Sequence, residues 1–363
     1  MSRKSVITVR SLLTVLSGVA VGVSGLVATA FTSGQAAQSA GQVAPPVGNP
    51  TCTSVPSSGS RVGPDAANTE GSGSYLSLGT GVATPDLWNV ASSSGTIQQC
   101  YAEATGLTDR IQLSSLNVGP YSGPDGYAEA GYGYDSYGGP FCSGSSCSTA
   151  PFPIPASDFT SQSHYTSTLS YRLGATTPSG EARDLSYDLW LETKSTQGAP
   201  LEGGNGPQTG DVELEISPYY TYNRGLAGLS STCPSKGSFK DSLGHVWNMF
   251  EGCGASSAML IQYVLASPAQ TASGSITVNI ANFVNEAETL LPAARYPIAS
   301  QESLAGIEVG TEFGSNTCTA NPHGCAPAPR LGGSAAVGWT WTISGLDLVT
   351  PSGTETVIGP PVP

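Results

Sequence analysis

Apolar and polar residues exchange places at every step through several short runs of this chain. In "GDVELEIS" (210–217), Val212, Leu214 and Ile216 fall on one parity and Glu213, Glu215 and Ser217 on the other. Side chains of a strand point alternately to opposite faces, so a period of two predicts a strand with one side for a core and one side turned away from it. The runs "YTSTLSYRLGA", "LSYDLWLET", "AGIEVGTEF" and "VGWTWTISGLDLV" read the same way. One segment departs from this rhythm. In "IANFVNEAETLL", Ile280, Phe283, Val284, Ala287, Leu290 and Leu291 recur at helical spacing, with Asn279 placed to cap the start and Pro292 to end it. The pattern therefore predicts an all-β sandwich of short strands joined by turns, with one amphipathic helix lying against it. Residues 118–157, rich in Gly, Tyr, Ser and Pro, are expected to form an ordered excursion outside the core. Within them "GYGYDSYGG" (131–139) is expected to be loop, with tyrosines that wall a cleft.

The first residues change the picture of where the protein works. Arg3, Lys4 and Arg10 precede an uncharged apolar run from Ser11 to Phe31 and then small residues, the order of a secretory signal with cleavage near Ala36. A retained membrane anchor is the alternative, because that run is long enough to span a bilayer. The expected organisation is a signal over 1–40, a short linker over 41–50 ending in "GQVAPPVGNP", and one sandwich domain over 51–356. Export would leave ten basic residues against 26 acidic ones, a net charge of about −16. Such a surface repels nucleic acid and anionic lipid, so a neutral partner, a monomer and an extracellular location are expected.

Eight cysteines in an exported chain argue for disulfides. Sequence neighbours suggest Cys52 with Cys100, Cys142 with Cys147, Cys233 with Cys253 and Cys318 with Cys325, a pairing that only geometry decides. No C-x-x-C pair occurs, and His164, His245 and His323 lack ligand spacing, so neither a metal nor any other cofactor is expected. The G-x-S-x-G elbow, the phosphate-binding G-x-x-x-x-G-K-[ST] loop and H-E-x-x-H are all missing from the sequence.

The carboxylates carry the candidate chemistry. Asp188, Trp190 and Glu192 share one parity in "SYDLWLET", and Glu308 and Glu312 share one in "GIEVGTEF". If these strands neighbour that of Glu213 and Glu215 in one sheet, acids from three strands converge on one surface. Glycoside hydrolysis needs such a set: one carboxyl protonates the leaving oxygen, and a second attacks the sugar or activates water. Trp and Tyr rings suit the same surface, since they pack on sugar faces while their polar edges stay wet. A wet sheet face also carries solvated acids for no chemical reason, so periodicity alone leaves both readings open.

Literal strings are more specific. "YDLW" (187–190), "GDVELEI" (210–216) and "VGTEF" (309–313) stand in the order and spacing of signature strands of glycoside hydrolase family 12, which this chain resembles in patches over residues 50–350. Cys52, then "DLWN" with Trp88, then Cys100 is similar to that family's N-terminal disulfide and tryptophan motif. "GHVWNMFEG" and the helix fall where the family has a G-x-x-W strand and its helix. The resemblance implies a concanavalin-like, two-sheet antiparallel jelly roll with a concave cleft, and a secreted endo-acting β-1,4-glucanase or xyloglucanase. It implies Glu213 as nucleophile, Glu312 as general acid/base and Asp188 as the nucleophile's support. Trp88 would be the glycone platform, with Trp190, Glu215 and Trp247 as further substrate contacts. Departures are Glu215 and Ser217, where the family has Met and an aromatic, Phe313 in place of Pro, and Pro85 and Asp86 in place of paired asparagines. Taking Glu215 as the nucleophile instead would put Pro218 inside a strand, which disfavours that alignment. A jelly-roll xylanase and a non-catalytic, lectin-like sandwich are the other readings.

Overall fold

The computed structural model describes residues 50–56, 61–62, 76–86, 89–118, 126–136, 139–141, 148–160, 164–176, 183–193, 207–221, 233–252, 258–313 and 337–359. All of them belong to one compact unit, Pro46–Pro363. The signal and most of the linker, Trp88, and Cys142, Cys147, Cys253, Cys318 and Cys325 lie outside the described residues.

Two sheets build the unit. The smaller orders its main strands Thr51–Pro56, Asn89–Ala102, Gly106–Val118, Val337–Thr350, Thr166–Leu173 and Ser273–Asn279. The larger orders Ser235–Lys240, Val246–Glu251, Met259–Ser267, Val212–Tyr220, Asp184–Thr193, Gly306–Phe313, Gly126–Asp135, Val82–Thr84 and Leu76–Ser77. Pairing is antiparallel with one exception in the larger sheet. Val212–Tyr220 runs parallel to Met259–Ser267, which the expectation of a purely antiparallel sandwich did not contain. The intervening chain supplies the long return that a parallel pair needs, and its hairpin of Ser235–Lys240 and Val246–Glu251 extends the same sheet.

The alternation sorts the faces as expected. Val212, Leu214 and Ile216, with Leu185, Tyr187, Leu189, Ile307 and Val309 of the neighbouring strands, enter one core with Ile97, Ile111, Leu169, Trp339 and Ile343 of the smaller sheet. Each such side chain withdrawn from water contributes about 1.5–3 kcal/mol, which sets the register, because a one-residue slip would turn the acids inward. The helix Ile280–Leu290 forms as the spacing predicts. The Asn279 side chain accepts from Ala281 N at 3.2 Å, and the helix stops before Pro292. Its Phe283 packs edge-on against Trp247, Tyr263 and Phe239, with ring centroids 5.1–5.3 Å away.

The Gly- and Tyr-rich stretch behaves otherwise than expected. Gly126–Asp135 is an interior strand of the larger sheet, paired with Gly306–Phe313 on one side and Val82–Thr84 on the other. Its small residues are what allow this. A Cβ on Gly131 would meet the Phe141 ring at 2.4 Å, and Gly133 holds φ of +99° with Phe152 against it. Tyr132 is therefore core, while half-buried Tyr134 packs beside Trp190.

Pro218 also lies inside a strand. Between Leu185 and Tyr187 the register with the Val212–Tyr220 strand shifts, so that Ser217 and Pro218 stand opposite Ser186 alone. A bulge of this kind leaves a residue outside the ladder, and the parallel neighbour is last paired at Ser217, so proline forfeits no ladder bond there. The objection to a strand running through Pro218 thus falls.

Candidate active site

The strands of Glu213, Asp188 and Glu312 are adjacent in the larger sheet, and all their carboxylates lie on its outer face. Asp188 stands directly across from Glu215 on one side and from Glu308 on the other. Trp190 is paired with Glu213, and Glu312 with Tyr127. Glu213, Asp188 and Glu312 are half-buried, whereas Glu215 is 5% exposed and Asp184 fully enclosed. On these three strands the half-buried carboxylates are thus the three that the sequence singled out.

The tightest grouping contains only one of those three. One oxygen each of Asp184, Glu215 and Glu312 lies within 4.8 Å of the others. Asp184 Oδ1 accepts from Glu312 N at 3.0 Å. Glu215 Oε1 accepts from Gln262 Nε2 and from Ser217 Oγ, and Gln262 Nε2 also donates to Ser217 Oγ at 2.9 Å. Glu215 therefore neither pairs with arginine nor faces solvent, the two bystander roles open to it from sequence. Tyr127 donates its hydroxyl to Ser186 O at 3.0 Å, fixing the ring among the acids.

No described cation lies within ion-pair distance of these carboxylates, because the two pairs formed by described residues, Lys236 with Glu251 and His245 with Asp241, lie elsewhere. Withdrawal from water and mutual repulsion therefore raise every proton affinity in the group. For Glu312 burial comes first, then Glu215 and Asp188, and it is held well above the usual carboxylate range. Glu213 is raised by burial, then by Asp188, Glu215 and Glu312. Asp188 is raised by burial and by Glu215, against a hydrogen bond from Trp190. Glu215 is raised too, by burial, but hydrogen bonds from Asp184, Gln262 and Ser217 oppose the shift. Further along the same face, Glu129 and Glu308 share a hydrogen bond and are both pushed up, mainly by burial.

Two tryptophan expectations need correction. Trp247 is fully buried on the opposite side of the sheet, packed on Phe283, with Nε1 donating to Asp241 Oδ2 at 3.0 Å. It is a core residue and cannot touch a sugar on the acid face. Trp190 is on the acid face, but Ala258, Ala305 and Tyr134 cover it and leave it 5% exposed. Its contact with Asp188 makes it a support rather than an open platform. Asp184 was missed, although in "RDLSYDLW" it shares the parity of Asp188, and Gln262 carried no signal of its own. The disulfide Cys52–Cys100 is formed, and Cys233 is disulfide-bonded.

A sandwich of two sheets with convergent carboxylates on the outer face of the larger is the architecture of jelly-roll glycanases. No protein-family model matches the chain, and no curated protein does. Solved structures do. A native family 12 xyloglucanase from Bacillus licheniformis is 17% identical, covers 83% of this chain and 100% of its own, and superposes with a TM-score of 0.50. A family 12 xyloglucanase from Bacillus licheniformis in complex with ligand gives 16% identity, 84% and 100% coverage, and a TM-score of 0.51. The chain has the jelly-roll fold of these enzymes. Among the described residues no helix is long and apolar enough to cross a membrane.

Proposed function

We propose that this protein is an exported, retaining endo-glycoside hydrolase of the family 12 type, acting on a β-1,4-glucan polysaccharide: cellulose-like, mixed-linkage or xyloglucan. The observation that carries the reading is that Glu213, Asp188 and Glu312, from three adjacent strands, are the half-buried carboxylates those strands present on the outer face of a family 12-like sandwich. Glu312, whose neighbours keep its proton on, donates that proton to the glycosidic oxygen as the C1–O bond breaks. Ionised Glu213 attacks C1 and forms a glycosyl ester. Glu312, now the base, takes a proton from water as its oxygen attacks C1, and Glu213 leaves as carboxylate. Asp188 supports Glu213 and is itself held by Trp190. Trp88 is assigned to glycone stacking.

Glu215 has an oxygen within 4.8 Å of one of Glu312, but one of its oxygens is already occupied by Gln262 and Ser217, and the side chain is enclosed. Attack on a sugar therefore falls to Glu213. The test measures reducing ends released from barley β-glucan and xyloglucan by mature protein. Glu213→Gln and Glu312→Gln should each lower kcat by at least about 10³-fold while glucan affinity persists. Azide should restore turnover of an activated aryl glycoside to Glu213→Ala with an inverted glycosyl azide as product, and to Glu312→Ala with a retained one. Glucan binding without hydrolysis by the unaltered protein would make it a lectin-like sandwich, and preference for xylan would make it a xylanase.

A further inference from the structure

The inference concerns Asp184 and Glu215, and it rests on the reading of Glu312 as general acid. On the Asp188 side, the last rungs that hold the Gly306–Phe313 strand are Ser186 with Gly310, Tyr187 with Val309 and Asp188 with Glu308. Glu312 lies beyond them. Its backbone N–H would be unsupported on that side, and the Asp184 side chain takes it instead, through Oδ1 at 3.0 Å. Asp184 is fully enclosed, and its second oxygen, Oδ2, has no hydrogen-bond partner of ordinary geometry among the described residues. One Asp184 oxygen lies within 4.8 Å of both a Glu215 and a Glu312 oxygen. A buried carboxyl oxygen without a donor is costly, and a proton shared with a second carboxyl is the cheapest remedy within reach.

Glu215 is the member of this trio best equipped to carry charge. Gln262 and Ser217 both donate to it, while the one neutral donor that reaches Asp184 among the described residues is the backbone N–H of Glu312. The other described titratable groups facing Glu312 are Asp188 on the neighbouring strand, Glu213 on the strand beyond it, Asp86 just past Val82–Thr84, and Tyr127 on the paired strand. All are acids, so among the described residues no positive charge faces Glu312 to pull its proton off.

We propose that Asp184 and Glu215 are positioning residues for the general acid. Asp184 fixes the backbone of Glu312 and shares a proton with Glu215, and the negative charge on Glu215 keeps Glu312 in its acid form before each turnover. The bulge at Ser217–Pro218 belongs to the same device, since it lies between Glu215 and the end of the strand opposite Asp184. In this reading the glutamate at 215 extends the working range of the enzyme upward in pH and does not touch the sugar.

The test uses two conservative variants of the mature chain. Glu215→Gln keeps an acceptor for Gln262 and Ser217, and Asp184→Asn keeps an acceptor for the Glu312 N–H, so both retain shape while removing a titrating group. The alkaline limb of kcat/KM on soluble β-glucan should move down by about one pH unit or more in Glu215→Gln, which removes the charge, and stay within about 0.3 unit in Asp184→Asn, which keeps it, with KM within about threefold in both. A merely structural role would lower activity at all pH values and leave the limb in place. An independent readout needs no turnover: the carboxyl ¹³C titration of Glu312 in labelled protein should show its midpoint falling in Glu215→Gln and holding in Asp184→Asn. Midpoint and limb unmoved in Glu215→Gln, or falling equally in Asp184→Asn, would overturn the proposal, as would azide rescue of Glu215→Ala with an inverted glycosyl azide as product, which would make Glu215 the nucleophile. If no glucan is hydrolysed but the midpoint falls, the hydrolase reading fails and the coupling stands.

Discussion

Glu302 allows a stability prediction to be worked through. It follows the one-turn helix Ile298–Gln301, is 1% exposed, and neither of its carboxyl oxygens has a partner among the described residues. Its strand rung is Thr193, whose N–H is bonded to Asp211, and Asp211 is the charge that adds to the burial. Together they push Glu302 up to about 8. The unfolded chain ionises this carboxyl near 4.3, so the window runs from there to about 8. Below the window both states keep the proton and the site costs nothing extra. Inside it the unfolded state has released a proton that the folded state retains, and stability falls by about 1.36 kcal/mol per pH unit. Above about 8 the loss is complete, on the order of 5 kcal/mol. Glu302→Gln has the same shape and no titration. Urea unfolding from pH 4.5 to 8.5 should therefore show wild type and variant converging toward low pH. At pH 8.5 the variant should gain on wild type by about 3–5 kcal/mol relative to its offset at pH 4.5. Parallel curves across that window would refute the reasoning, because they would mean that Glu302 ionises in the folded protein as it does in the unfolded one.

The remaining predictions are shorter. Glu192 is also pushed up to about 8, mainly by burial and against a 2.6 Å hydrogen bond from Ser136, so Glu192→Gln should flatten the alkaline loss of stability in the same urea series. Trp247→Ala removes a core ring and leaves Asp241 without one donor, which should cost about 3–5 kcal/mol by urea unfolding while KM for glucan stays within about twofold. Replacing Cys52 and Cys100 by serine opens a loop of 48 residues and should lower stability by about 4 kcal/mol, read as a fall of roughly 6 °C in Tm by calorimetry.

Much of the site was legible because strand periodicity is local. The parities of Glu213, Asp188 and Glu312 depend only on their own neighbours, and each strand turned as its apolar residues required. The helix was legible for the same reason, its spacing and its Asn279 cap lying within a dozen residues. Trp247 was not. In "VWNMF" both parities are apolar, so nothing local says which side meets the core, and Phe283 on a distant helix decided it. Gly126–Asp135 was misread because small residues suggest turns to a local reading, whereas here they let Phe141 and Phe152 approach the sheet.

The sequence by itself determined that the segments of Glu213, Asp188 and Glu312 are strands, which face of each of these three is apolar, where the long helix starts and stops, and that all three carry acids opposite their apolar sides. Those properties follow from side-chain direction and burial along a few consecutive residues. Tertiary structure alone decided that the three strands are adjacent, that Asp184 rather than Asp188 fastens the Glu312 backbone, and that Glu215 is enclosed beside Gln262. The spacing between carboxylates on different strands depends on register, twist and the bulge at Pro218, which pairing across the sheet sets and no single segment encodes.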